Sequence, residues 1–122
     1  FAVASEHIDY NSSLCTNHFK YYEKEHNIPK NLLYSISEVE SGIYHSQLKK
    51  KVPWPWVINV NGKGFYFDNK EKAISEVKKL LRNGYKSIDI GCMQVNLLHH
   101  GKHFESVEHA FDPKINIAYG AE

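Results

Sequence analysis

The sequence predicts an α+β fold, mostly helical with one small antiparallel sheet. Three observations point there. Apolar residues recur at helical spacing in several separate stretches. One stretch, WVINVNGKGFYF, carries a hairpin signal, with β-branched and aromatic residues on both sides of Asn61-Gly62-Lys63-Gly64. Just before it, KKKVPWPW cannot be a regular helix, because Pro53 and Pro55 hold the backbone extended. A chain of 122 residues favours one domain, residues 1–122, and 42% hydrophobic residues suffice for one core.

The elements follow in order. Residues 12–26 set Leu14, Cys15, Phe19 and Tyr22 at helical spacing, with Ser12 or Ser13 able to cap the start. Asn27 and Pro29 break that helix, and Pro29 suits the first turn of the next, which should run to Ser41 and stop at Gly42. After the hairpin, Asp68 or Asn69 caps a third helix over residues 70–83. Its apolar face is Ala73, Ile74, Val77, Leu80 and Leu81, and Asn83-Gly84 ends it. KSIDIG is a short strand, GCMQVNLLHHG a turn into a short helix, and SVEHAF a further helix closed by Asp112-Pro113. Residues 114–122 open a last helix, so the sequence is expected to continue past residue 122.

Fifteen Lys and Arg balance fourteen Asp and Glu, which argues against nucleic-acid binding through bulk charge. No apolar run reaches the length of a membrane span. The chain begins at Phe1 rather than Met, as expected after removal of a leader or in an excerpt. Cys15 and Cys92 are two buried thiols in a reducing compartment, or in an exporting one a pair closing a long loop. Their spacing alone does not choose. His99 and His103 have the i, i+4 spacing of zinc helices, but Gly101 lies between them and no HExxH register follows, so neither metal nor cofactor is expected.

SEVESG, residues 37–42, holds two acids two positions apart. With Leu32 at zero on a helical wheel, Leu33, Ile36, Val39 and Ile43 fall at about 100°, 40°, 340° and 20°. Glu40 then lands at about 80°, inside the apolar stripe, and Glu38 at about 240°, on the far side. Glu40 is therefore expected to face inward and Glu38 outward. A carboxyl in apolar surroundings tends to keep its proton, as a general acid must.

Three segments in order, Glu40-Ser41-Gly42, then Gly91-Cys92-Met93-Gln94-Val95-Asn96, then Asn116-Ile117-Ala118-Tyr119-Gly120, resemble the soluble-lytic type of lytic transglycosylase. The similarity covers about Cys15 to the end and lies closest to a proteobacterial branch. The resemblance implies a lysozyme-like fold and cleavage of the β-1,4 bond between N-acetylmuramic acid and N-acetylglucosamine. The product is a 1,6-anhydromuramic end. It makes Glu40 the single catalytic acid and base, and Ser41 a residue that fixes the helix end. Gln94 would bond sugar, Met93 would pack beneath the cleft, and the Tyr119 hydroxyl would approach the catalytic carboxylate. It also favours a disulfide between Cys15 and Cys92.

Asn96 is a candidate partner for an N-acetyl group, and Trp54, Trp56, Phe65 and Tyr66 are candidates for sugar contact or core. Asp89 lies opposite Ile88 and Ile90 in its strand, where it could bind substrate or activate a water, making the enzyme a hydrolase instead. A non-catalytic glycan-binding module is the third possibility. The implied partners are peptidoglycan strands and a cell-envelope or secretion assembly. The implied molecule is a monomer in the periplasm or exported.

Overall fold

The computed structural model describes residues 5–122, with side chains from His7 onward; Phe1 lies outside the described residues. Helices alternate with two small antiparallel sheets, where the sequence had suggested one. In chain order the elements are α1 (Ser5–Thr16), α2 (Phe19–Glu25), α3 (Leu32–Ser41), β1 (Ile43–His45), β2 (Lys50–Val52), β3 (Val57–Val60) and β4 (Lys63–Tyr66). Then come α4 (Lys70–Arg82), β5 (Ile88–Ile90), β6 (Val95–Asn96), α5 (Leu97–His100), α6 (Val107–Phe111) and α7 (Pro113–Gly120).

The expected helix over residues 12–26 is two helices. Ser12 and Ser13 lie inside α1 rather than capping it, and the chain turns at Asn17-His18. Pro29 precedes α3 instead of opening it, because Asn31 takes a left-handed conformation (φ 69°) at the N-cap. There the Glu23 side chain reaches across from α2, and its Oε2 accepts from the Leu33 N–H at 3.0 Å. A side chain ten residues away thus satisfies a donor that the helix start leaves free.

The hairpin at Asn61-Gly62 forms as the sequence suggests. Both residues have positive φ, 53° and 77°, which gives a two-residue turn matched to strand twist. β3 then pairs with β4 on one side and β5 on the other, and β6 closes the order β4-β3-β5-β6. Asn69 caps α4 by accepting from the Lys72 N–H, Ser106 caps α6, and Asp112 caps α7.

Two apolar clusters fill the interior. One gathers Trp54, Trp56, Ile58, Ile88, Ile90 and Phe111 between the larger sheet and α4 and α6. The other joins Phe19, Leu33, Met93, Val95 and Ile117 around the Cys15–Cys92 disulfide. Both tryptophans are buried, so they serve the core and not a sugar surface. Their indole N–H groups donate to Phe67 O and to Asn11 Oδ1. Among the described residues no helix is long and apolar enough to cross a membrane.

Candidate active site

α3 is turned by about 100° from the expectation. Its inward face is Leu33, Ser37 and Ser41, all buried. Of the expected stripe, Leu33 is buried, but Leu32, Ile36 and Val39 are 42%, 38% and 74% exposed. Glu40 is exposed with them, and Glu38 is half-buried. The reason lies in the serines. Ser41 Oγ donates to Ser37 O (2.9 Å) and accepts from the Trp54 N–H (3.3 Å), while Ser37 Oγ donates to Cys92 O (2.7 Å). A helix face of small hydroxyl residues approaches neighbouring backbone closely and satisfies it, which an apolar wheel does not register. Glu40 sits one residue, about 100°, from Ser41 and so looks outward. Among the described residues its carboxylate has no hydrogen-bond or ion-pair partner.

The segment 91–94 is built as a tight turn. Gly91 (φ 82°) has no room for a Cβ, which would strike the Asn116 amide. Asn116 is buried and fully used: Oδ1 accepts from the Met93 N–H (2.8 Å), and Nδ2 donates to Ile90 O and Ala110 O. Gln94, at φ 52°, donates from Nε2 to Val57 O (3.1 Å) and Gly91 O (3.0 Å). Its amide therefore caps backbone, and among the described residues Oε1 has no partner. Met93 is buried against Gly120, where a Cβ would meet the methionine side chain.

The Tyr119 hydroxyl does not meet Glu40. It lies 2.6 Å from His100 Nδ1, and the ring packs among His100, His103 and Phe104. Asn96 is also committed. Its Oδ1 accepts from the Leu98 and His99 N–H groups, and its Nδ2 donates to Ser87 Oγ (3.0 Å) and Asp89 Oδ1 (2.8 Å). With two donors and two lone pairs in use, nothing remains for an N-acetyl group. Asn96 caps α5 and holds Asp89 instead. Among the described residues no three His, Cys, Asp or Glu side chains gather into a metal-holding group.

The register sorts the larger sheet into two faces. One face of the larger sheet carries Ile58, Ile88, Ile90 and Val95 into the core. The other face aligns Gly64, Asn59, Asp89 and Asn96 in one row across four strands. Tyr66, two residues from Gly64, shares that polar face, and its hydroxyl donates to Gly42 O (3.2 Å) at the end of α3. The polar face and the helix end bearing Glu40 therefore meet at Tyr66. Sequence reasoning overlooked Asn59 and Ser37. Strand alternation with Asp89 could have found the first, and i, i+4 spacing from Ser41 the second.

Three concavities of about 760, 360 and 250 Å³ open elsewhere on the surface, and none is lined by Glu40, Gln94 or Tyr119. Glu40 itself lies exposed on an open surface near the end of α3. Such a surface suits a long polymer better than an enclosed small molecule. Compared with family models, curated proteins and solved structures, the chain matches none of them.

Proposed function

We propose that the chain is a peptidoglycan lytic transglycosylase on a lysozyme-like plan, with Glu40 as its single acid and base. One observation supports this above the others: α3, which carries the first motif segment, meets the other two segments, far apart in sequence, at one junction. Ser37, on the face that anchors the Glu40 turn, bonds to Cys92 O in the second segment. Asn116 of the third holds Met93 N, and Gly120 packs on Met93.

Glu40 is exposed in the free chain, so the protein alone does not desolvate it. A glycan strand laid between the end of α3 and the polar sheet face would supply that cover and exclude water. The covered carboxyl gives its proton to the glycosidic oxygen as the bond to C1 of N-acetylmuramic acid breaks. The substrate's own 2-acetamido oxygen meets the charge at C1. The carboxylate then takes the proton of the C6 hydroxyl, whose oxygen bonds to C1 and closes the 1,6-anhydro ring. Glu40 ends as it began, and no water is consumed. Tyr66 offers an exposed ring for a sugar face beside the helix end.

A hydrolase is the second reading. Asp89 favours it, because it lies on the same sheet face as Tyr66 with Oδ1 held by Asn96. Its other oxygen could steer a water to C1. Mass spectrometry of digested sacculi separates the two, since hydrolysis adds one water to each new end. Glu40→Gln should abolish cleavage while strand binding persists. Strand binding without cleavage by the native chain would instead leave only a glycan-binding module. The Cys15–Cys92 link supports a place for this activity in the bacterial periplasm or exterior, an oxidising compartment that keeps such a link closed.

A further inference from the structure

The largest of these three concavities, about 760 Å³, lies at the other end of α3, a helix length of about 15 Å from Glu40's turn. It opens between α2, the end of α1 and the start of α3. Phe19, Ile28 and Tyr34 give it an apolar lining. Three lysines, Lys20, Lys24 and Lys30, stand exposed at its rim.

Glu23 is the unusual member. Its side chain lines this cavity, yet the residue is only 6% exposed, and it pairs with none of the three lysines. Its Oε2 is committed to the Leu33 N–H. Its Oε1 makes no hydrogen bond, and among the described residues no sealed side-chain polar atom lacks a partner. Oε1 is therefore open to the cavity. In an otherwise buried side chain, this one accessible carboxylate oxygen is free to accept from a ligand donor.

We propose that this cavity binds a zwitterion whose ammonium and carboxylate are separated by an aliphatic chain, as in the C-terminal lysine of a peptide. The ammonium meets Glu23 Oε1 inside, the chain lies along Phe19, Ile28 and Tyr34, and the carboxylate stays at the lysine rim. Each part answers one feature of the cavity. A plain anion would leave Glu23 unpaired, and a plain cation would meet the rim lysines. The proposal is independent of the glycan chemistry at Glu40.

Three probes test it by NMR titration of the native chain: Nα-acetyl-lysine, Nα-acetyl-norleucine and Nα-acetyl-lysinamide. Nα-acetyl-lysine should bind at least about tenfold more tightly than either of the others, and should shift the Leu33 amide, which reports on Glu23 directly. Glu23→Gln keeps an oxygen for the Leu33 N–H and removes the charge. It should lower the affinity for Nα-acetyl-lysine to that for Nα-acetyl-norleucine. Equal binding of all three probes, no binding at millimolar concentration, or undiminished binding by a folded Glu23→Gln chain would overturn the proposal. Cleavage of peptidoglycan is unaffected by any of these outcomes, so failure here leaves the proposed activity standing.

Discussion

Glu40 and Ser41 are adjacent, yet one is exposed and the other is fully buried with bonds to Ser37 O and Trp54 N. The serine fixes the backbone so that the glutamate's direction is set even though its carboxylate touches nothing. Ser41→Ala removes the buried bonds to Ser37 O and from the Trp54 N–H, which should cost about 1–3 kcal/mol in urea unfolding. Activity should fall further than stability does, because the Glu40 turn loses its anchor. Glu38→Gln should leave cleavage near the native rate, since Glu38 lies about 160° around the helix from Glu40. An equal loss at both glutamates would separate activity from the helix end altogether. The motif singles Glu40 out as a candidate, but its direction was not legible in the sequence. Burial on α3 follows two hydroxyls bonded to backbone, and an apolar wheel assigns those positions to water.

Elements were legible where local chemistry is strong. Asn61-Gly62 fixes its hairpin, Asn69 caps α4 on its amphipathic face, and Asp112-Pro113 closes α6. They were illegible where tertiary contacts decide. The hairpin of β1 and β2 turns through Lys49 at φ 53° without glycine, and is tied to α1 by His45 Nε2, 2.8 Å from Asp9 Oδ1. α1 ends at Asn17-His18 with neither proline nor glycine to mark it. β6, with two residues, is too short to carry a period. The turn at 91–94 offers the sharpest test at this scale. Gly91→Ala forces a side chain into left-handed backbone and against Asn116, whose three bonds join β5, the turn and α6. A loss of at least about 2 kcal/mol is expected in chemical denaturation. A chain of native stability would show that Asn116 moves freely.

At the scale of the whole molecule, the Cys15–Cys92 link joins α1 to the turn that α3 docks on, across a separation of 77 residues. Closing so long a loop stabilises the fold by about 4 kcal/mol in the chain-entropy account. The Cys15→Ala, Cys92→Ala chain should therefore melt well below the native one. An unchanged Tm would mean that the two apolar clusters hold this region unaided. Those clusters leave one surface polar and open, where the sheet row of Asn59, Asp89 and Asn96 runs up to Tyr66 and the end of α3. Everything proposed for activity depends on a glycan strand covering Glu40 on that surface. The most direct measurement is the mass of fragments released from purified peptidoglycan by the native and Glu40→Gln chains. The native chain should release 1,6-anhydromuramic ends, and the variant should lose about 10²–10⁴-fold in rate, the contribution of a positioned acid and base. Fragments released at the native rate by Glu40→Gln would contradict the account, and ends heavier by one water would replace it with hydrolysis.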